Sequence, residues 1–184
     1  MVTTAIPLVT KNHQKASQDS VASFNNVYKR IIANDKSGII ATLPVIGLCH
    51  SLGGKLTSLF SSTDDVHCLG VRRKANIFLA FNNFGFRQST TSSNPAPPSM
   101  EFVPSPEETW RVIQEGYRDR ISSSALIKFV DDTIDQSVEL KKCLEGDSHT
   151  LHVIAGDHLQ PNKLLLDEAF LLRLNHIMTE LITS

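Results

Sequence analysis

Ser51, Asp132 and His158 each follow a short apolar run of the kind that forms a buried β-strand. A serine hydroxyl is a weak nucleophile at neutral pH, so it needs a neutral imidazole to take its proton and a carboxylate to orient that imidazole. Because the carboxyl ends of parallel strands lie at one edge of a sheet, residues far apart in sequence can meet there. The pattern predicts Ser51 as nucleophile, His158 as base and Asp132 as the orienting acid.

Each of these residues also has a purely structural interpretation. Ser51 could cap the helix that follows it, the Asp131-Asp132 pair could form a solvated turn, and His158 could close the turn that starts at Gly156. Their occurrence together, each after a strand, favours the catalytic interpretation. Asp131 is the second choice for the acid, and Asp135 is expected to cap the following helix.

The segment around the serine, Cys49-His50-Ser51-Leu52-Gly53, departs by one residue from the G-x-S-x-G nucleophile elbow. In that motif a strand turns sharply into a helix, and the backbone N–H after the nucleophile binds the developing oxyanion, so Leu52 is the predicted donor. Strand alternation predicts that the side chain of His50 points away from the nucleophile. The chain order Ser, Asp, His is the order used by α/β-hydrolases.

The elements that would position these residues alternate between strands and helices. The predicted strands are Ala5–Val9, the elbow run from Leu43, Ala75–Phe81, Ala125–Val130 and Leu151–Ile154. After a polar stretch from Thr10 to Ser20, the first predicted helix presents Val21, Phe24, Tyr28 and Ile31 on one face. The later predicted helices are the elbow helix to about Ser61, Ser137–Leu144 and Lys163–Leu181. The last of these has an apolar stripe formed by Leu171, Leu174, Met178 and Leu181. This alternation predicts a three-layer α/β sandwich with a mostly parallel sheet of about five strands.

One further helix is predicted by its start signal alone. Ser105 stands at the cap, Pro106 at the first helical position and Glu108 where it completes a capping box, with Trp110, Ile113 and Tyr117 on the inner face. The preceding stretch from Gln88 to Ser99 is rich in Ser, Thr, Asn and Pro, which is typical of a surface loop. We predict one domain over residues 1–184, with a flexible loop or small cap at about 84–118.

Composition excludes several classes of function. A formal net charge of −1 and a single basic cluster, Arg72-Arg73-Lys74, do not fit a nucleic-acid-binding surface. Three widely spaced cysteines predict neither a disulfide framework nor a zinc site, and favour a reducing intracellular compartment. No apolar run is long enough to span a bilayer, and no histidine has a partner at metal-ligand spacing. The sequence therefore predicts a soluble protein without metal or cofactor.

Several of these segments also resemble motifs of a known family. SLGGKL, AFNNF, EFVPSPEETWRVI, LIKFVDDTIDQS and GDHLQP, within about Ile39–Pro161, are similar to successive motifs of the domain of unknown function 1350, a family of photosynthetic lineages. That family resembles a branch of the α/β-hydrolases. The resemblance implies the hydrolase fold, a nucleophile at Ser51 and a plastid or cytoplasmic location, with no established substrate.

The chain departs from the family pattern at two places. Cys49 stands where members have the first glycine of the elbow, which predicts some cost in the geometry of the turn. Family members also carry a strand and a Gly-rich loop, similar to the source of an oxyanion N–H, ahead of the segment that matches Ala5–Val9. The expectation is an incomplete hydrolase-like fold, either a shortened protein or part of a longer one.

These observations predict a serine hydrolase-like protein that acts on a small or lipid-like ester or thioester. The alternative is a catalytically weak or inactive hydrolase-like binding or scaffold protein, which Cys49 and the unmatched oxyanion loop favour. A sheet that lacks a strand also predicts a homo-oligomer through the exposed edge.

Overall fold

The structure is a computed structural model, and it describes residues 11–62, 67–68, 71–86, 101–146, 148–163 and 167–183. In chain order the elements are α1 (His13–Asn34), β1 (Val45–His50), α2 (Leu52–Ser61), β2 (His67–Cys68), β3 (Val71–Leu79), α3 (Pro106–Gly116), β4 (Ser123–Phe129), α4 (Ser137–Leu144), β5 (His149–Ile154) and α5 (Glu168–Thr183). Short 3₁₀ turns occupy Ile40–Thr42 and Gln160–Lys163. The predicted strand at Ala5–Val9 and the predicted loop at 88–99 lie outside the described residues.

Strand β3 lies at the centre of the sheet. The strands follow the order β1-β3-β4-β5 and pair in parallel, while the two-residue β2 pairs antiparallel with the start of β3. The register places Leu48 opposite Ile77 and Ile77 opposite Ala125, so the carboxyl ends of the strands form one edge. The prediction of a mostly parallel sheet of about five strands is confirmed.

Alternate residues of the strands build two cores, one on each face of the sheet. On one face Ile77 and Ile127 pack with Phe170 and other residues of α5. On the opposite face Phe78 and Leu126 pack with apolar residues of α3 and α4. Helices therefore cover both faces, and the predicted three-layer α/β architecture is confirmed.

The first helix begins earlier than the sequence predicts. The stretch from Thr10 to Ser20 was expected to be polar chain before a helix, but α1 starts at His13, capped by the Asn12 side chain, which accepts from the backbone N–H of Lys15. The first turns bury Ala16 and Ser17, and the Ser17 hydroxyl donates to the carbonyl of Leu56 in α2 at 2.9 Å. Apolar periodicity could not find this part of the helix because small and polar residues make its contacts.

Two other helix predictions have opposite outcomes. The capping box of α3 is confirmed, because the Ser105 side chain accepts from the Glu108 N–H and the Glu108 carboxylate accepts from the Ser105 N–H. The predicted stripe of α5 is wrong at Leu171, which is 45% exposed. The buried residues of α5 are Phe170, Leu174, Ile177 and Leu181.

Strand β1 pairs on one side only within the described part of the chain. Its exposed residue Leu48 has 41% of its surface accessible. The homo-oligomer through this edge stays a prediction, as does the division into one domain with a loop or cap at about 84–118. None of the helices in the described ranges combines the length and the apolar character needed to cross a bilayer.

Two buried histidines make the stability of this fold depend on pH. Burial lowers the pKa of His13 to about 4, with the charge of Lys55 acting in the same direction and Glu101 against it. Burial likewise lowers the pKa of His149 to about 4, assisted by the charges of Lys141 and Arg118. Neither ring has a hydrogen-bond partner for Nδ1 within the described residues.

The sign follows from comparing the folded pKa with the ordinary value of 6.5. Between pH 6.5 and 4 the unfolded chain binds protons that the folded chain does not, so the free energy of unfolding falls as the pH is lowered through this range. We expect a loss on the order of 2 to 3 kcal/mol per histidine near pH 4, measured by urea unfolding at a series of pH values.

Matched glutamine substitutions test this assignment. His13→Gln and His149→Gln should each flatten the dependence of unfolding free energy on pH, whatever their effect at pH 7. His176→Gln on the surface of α5, where the side chain is 66% exposed, is the control for the loss of a histidine as such. A pH dependence equal to that of the unsubstituted protein in both buried-site variants would contradict the assignment.

Candidate active site

Ser51 lies at the junction of β1 and α2 in a strained backbone conformation. Its φ of 54° and ψ of −124° lie outside the regions that L-residues ordinarily adopt. The backbone N–H of Ser51 donates to the carbonyl of Leu79 at 3.0 Å, and its carbonyl accepts from the Gly54 N–H at 2.9 Å. These bonds hold the turn between strand and helix, so the serine projects from the carboxyl edge of the sheet.

The hydroxyl of Ser51 does not cap α2. Its side chain makes no hydrogen bond to the first turn of that helix. Instead Oγ lies 2.9 Å from Nε2 of His158 and 2.8 Å from Nδ2 of Asn82. The hydroxyl thus lies between an imidazole and an amide, which come from the ends of other strands.

His158 connects Ser51 to a buried carboxylate. Its Nδ1 lies 2.7 Å from Oδ2 of Asp132, whose side chain is 0% exposed, while the imidazole is 21% exposed. The second carboxylate oxygen, Oδ1, accepts from the backbone N–H of Ile134 at 3.0 Å. The acid is therefore shielded from water and held by its own turn, and the imidazole stands between it and the hydroxyl.

The turns after β4 and β5 are joined to each other, which fixes the acid relative to the imidazole. The N–H groups of Val130 and Asp131 donate to the carbonyls of Ile154 and Gly156, both at 3.0 Å. Gly156 has φ of 131°, a conformation that other residues rarely adopt, and an added Cβ would meet the Gln160 side chain at 2.9 Å. Gly156, two residues before His158, is thus required by the turn.

The other acidic residues near this turn, Asp131 and Asp135, have different surroundings. Asp131 is exposed. Asp135 accepts from the backbone N–H of Ser137 at 2.8 Å and from its hydroxyl at 2.9 Å, which holds the start of α4. Ile134, two positions after Asp132, is 40% exposed and contributes its backbone N–H to the carboxylate.

His50 was expected to point away from the nucleophile, and the structure corrects this. Its Nε2 lies 2.8 Å from the carbonyl oxygen of His158, and the two rings are 4.9 Å apart between centroids. Since only an N–H can bond a carbonyl oxygen, Nε2 of His50 is the donor, and burial lowers the pKa of this imidazole. Strand alternation fails here because the chain leaves the strand at the Ser51 turn.

Asn82 contacts the nucleophile, although it is not among the site residues predicted from the sequence. It follows β3 and the buried Ala80, whose φ is 49°. In the sequence, Asn82 is simply the residue that follows the predicted strand Ala75–Phe81. The sequence does contain a signal for this residue, because Asn82 is a polar residue that follows a parallel strand, as Asp132 and His158 do.

Cys49 fits the elbow without displacing the helix behind it. The side chain is buried and its thiol donates to the carbonyl of Ile77 at 3.3 Å. Burial raises the pKa of this thiol to about 12, so it stays protonated at neutral pH and is no nucleophile. A Cβ added at Gly53 would lie 3.9 Å from the Cys49 Cβ, an ordinary contact.

The glycines that begin α2 differ in a way that can be measured. A Cβ added at Gly54 would lie 2.8 Å from the ring of Phe81, which is fully buried, whereas Gly53 has room. Gly53→Ala should leave stability unchanged or raise it by up to about 1 kcal/mol through helix propensity. Gly54→Ala should lower it by about 1 to 3 kcal/mol through overpacking. Equal unfolding midpoints for the two variants in denaturant would contradict this packing.

Residues suited to hold a metal do not cluster in this site. Across the described ranges no group of three or more His, Cys, Asp or Glu side chains lies close enough together to bind an ion. Cys49 and Cys143 are both free thiols. What the arrangement offers chemically is a hydroxyl, an imidazole and a carboxylate in hydrogen-bonded series.

The chain matches a family model over most of its length. The family is described as a protein of unknown function (DUF1350), and the match covers residues 1–167. Among curated proteins, none matches the chain.

Solved structures with a similar fold include two esterases and a protein described as a non-heme bromoperoxidase. The last, BpoC of Mycobacterium tuberculosis H37Rv, shares 12% identity with a TM-score of 0.47, over 84% of this chain and 72% of that one. The esterase domain of a Rhodothermus marinus protein shares 17% identity with a TM-score of 0.43, over 72% and 58% of the chains.

A cold-adapted esterase from an Arctic intertidal metagenomic library shares 16% identity with a TM-score of 0.44, over 83% of this chain and 55% of that one. The chain thus spans little more than half the length of either esterase. With TM-scores below 0.5, these similarities assign neither an activity nor a substrate to the chain.

Proposed function

The chain belongs to the protein family of unknown function DUF1350, and from the geometry of its site we propose that it is a serine hydrolase that cleaves an ester or thioester. Ser51 is the nucleophile, His158 the general base and Asp132 the acid that orients it. The observation that carries the proposal is the continuous series of hydrogen bonds, 2.9 Å from Ser51 Oγ to His158 Nε2 and 2.7 Å from His158 Nδ1 to Asp132 Oδ2.

The direction of each hydrogen bond follows from the carboxylate, which can only accept when ionised. Nδ1 of His158 therefore carries the proton and donates to Asp132, and Nε2 of the neutral ring is left to accept from the Ser51 hydroxyl. As Oγ attacks the carbonyl carbon, its proton moves to Nε2 and the carbonyl π electrons move onto oxygen. The imidazolium formed is stabilised by Asp132 and then protonates the leaving alkoxide or thiolate.

The same residues then hydrolyse the acyl-enzyme, with water as the nucleophile and Ser51 as the leaving group. Water gives a proton to Nε2 of His158 and attacks the ester carbon on Ser51, and the proton then returns to Oγ as the acid product leaves. Asp132 suits its role because its side chain is fully buried. In such an environment a negative charge stabilises the adjacent imidazolium more strongly than it would in water.

The backbone N–H of Leu52 is the proposed oxyanion donor. Leu52 is the first residue of α2, and the N–H groups in the first turn of a helix have no acceptor within that helix. The positive end of the helix dipole also favours negative charge at this position. A carbonyl oxygen on carbon bonded to Ser51 Oγ would therefore meet a donor at the helix start.

A cavity beside the elbow is the proposed site for the acyl group of the substrate. It has a volume of about 310 Å³ and lies along β1 between α1 and α2. Its walls include His50 and Gly53, which flank the Ser51-Leu52 pair, and apolar residues further along, among them Phe24, Ile46, Leu56 and Phe60. Ser17, Ser20, Thr57 and Arg73 also line the cavity, so it combines apolar surface with polar groups and one positive charge.

The test is turnover of a panel of p-nitrophenyl esters and acyl thioesters with acyl chains of increasing length, by the full chain and by Ser51→Ala. We expect hydrolysis that depends on Ser51 and varies with chain length. Turnover that is absent, or equal in Ser51→Ala, would contradict the proposal and favour a hydrolase-like binding protein without catalysis.

A further inference from the structure

The series from Ser51 to Asp132 leaves one contact of the nucleophile without a role. Nδ2 of Asn82 lies 2.8 Å from Oγ of Ser51, on a hydroxyl that also faces His158. We propose that the Asn82 amide is a catalytic hydrogen-bond donor, which holds the Ser51 hydroxyl before attack and binds the oxyanion of the substrate during it. This inference rests on the proposed hydrolase function and adds a residue to it.

The donors and acceptors around Oγ permit only one arrangement. A serine hydroxyl has a single proton and two lone pairs, and the amide nitrogen of asparagine can only donate. Nε2 of His158 needs the hydroxyl proton, because Nδ1–H is directed at Asp132. Oγ therefore donates to His158 and accepts from Asn82, so the amide turns the proton of the nucleophile toward the base.

The acceptor at this position changes during attack. When Oγ bonds to the carbonyl carbon, it loses its proton to His158 and becomes an ether-type oxygen of the tetrahedral intermediate, which is a weak acceptor. The negative charge is now on the former carbonyl oxygen, which is bonded to the same carbon as Oγ. An amide N–H within reach of Oγ can reach this oxygen and binds it more strongly, since charged acceptors form the stronger hydrogen bonds.

Asn82 would act together with the backbone N–H of Leu52. The backbone N–H of Leu52 lies at the start of α2. The Asn82 amide follows β3 and donates to Ser51 Oγ. An oxyanion site requires donors that are aimed before the reaction begins. The Leu52 N–H and the Asn82 amide are the two donors that we assign to this site.

The backbone around Asn82 is held on both sides, which gives the amide a fixed position. The N–H of Ala80 donates to the carbonyl of Ile127 at 2.9 Å, and the carbonyl of Phe81 accepts from the N–H of Gln136 at 2.7 Å. On the far side, the Asn83 side chain donates to the carbonyl of Pro106 at 2.9 Å. Ala80 keeps a left-handed φ of 49° while fully buried, a conformation that tends to be stored at functional sites.

The experiment compares kcat and KM for a p-nitrophenyl ester in the unsubstituted protein, Asn82→Ala, Asn82→Asp and Ser51→Ala, with the thermal unfolding midpoint of each. Asn82→Asp keeps the size of the side chain but replaces the donor with an acceptor, so it controls for packing. We expect kcat to fall by about 10² to 10³-fold in Asn82→Ala and at least as far in Asn82→Asp, with KM changed by less than about 3-fold.

A merely structural role for Asn82 would give a different pattern. It predicts lower unfolding midpoints and altered KM in Asn82→Ala, with kcat retained in the isosteric Asn82→Asp. Retention of kcat in either variant, while Ser51→Ala abolishes turnover, overturns the role of Asn82 and leaves the hydrolase proposal intact. Turnover that is absent or independent of Ser51 overturns both.

Discussion

Replacing His158 with glutamine is expected to lower ester turnover on the order of 10⁴-fold or more, with the protein still folded. The substitution removes the Nε2 lone pair that lies 2.9 Å from Ser51 Oγ, so the hydroxyl loses its proton acceptor. The fold should survive because the glutamine amide can still donate to the buried Asp132 carboxylate. The backbone carbonyl that binds His50 is unchanged.

The matched control is His152→Gln, in the strand that leads to the same loop. His152 bonds Thr150 through its Nε2 at 3.0 Å and has no hydrogen bond to Ser51 or Asp132. We expect kcat within about 3-fold of the unsubstituted protein for this variant. Equal losses in the two variants, or turnover retained in His158→Gln, would show that His158 is not the base.

The second large effect is expected from Asp132→Asn. The asparagine can present its N–H to Nδ1 of His158, and the ring then keeps its proton on Nε2, facing Ser51. An Nε2–H cannot accept the hydroxyl proton, so kcat should fall by about 10⁴-fold. The new side chain is isosteric and stays hydrogen-bonded, so the unfolding midpoint should change little.

The neighbouring residue provides the control for this substitution. Asp131→Asn removes the same charge one position earlier from an exposed side chain, and we expect it to leave kcat nearly unchanged. Steady-state kinetics of both variants with one ester decides between them. A larger loss in Asp131→Asn than in Asp132→Asn would reverse the assignment of the acid.

Much of the fold follows from strong local signals. Buried strands of a parallel sheet are short runs of apolar residues, and Ala75–Phe81 and Ala125–Val130 have this form. The start of α3 has a capping box whose residues bond each other in the structure. Placing polar residues after such strands needs only one topological rule, which is why Ser51, Asp132 and His158 could be chosen as candidates.

The remaining features depend on contacts between elements that are distant in sequence. The first turns of α1 are buried through Ala16 and Ser17, which have no apolar signature. The stripe of α5 lies on Phe170 and Ile177 rather than Leu171, because the position of the sheet decides which face is covered. A helix with apolar residues on more than one face leaves that choice open in the sequence.

The surroundings of the nucleophile were the hardest part to predict. The direction of the Asn82 amide depends on the left-handed turn at Ala80, and alanine gives no sign of such a conformation. His50 reaches the His158 loop because the chain turns at Ser51 before strand alternation can separate them. Both features come from strained backbone, which propensity and periodicity do not report.

The most direct test of Ser51 as an activated nucleophile is covalent labelling with a fluorophosphonate probe. The site is located by mass spectrometry of the digested protein, and Ser51→Ala and heat-unfolded protein serve as controls. We predict one adduct, on Ser51, in the folded protein, and none at that position in His158→Gln or after unfolding. Folded protein that carries no adduct on Ser51, or that labels equally well after unfolding, would contradict the account.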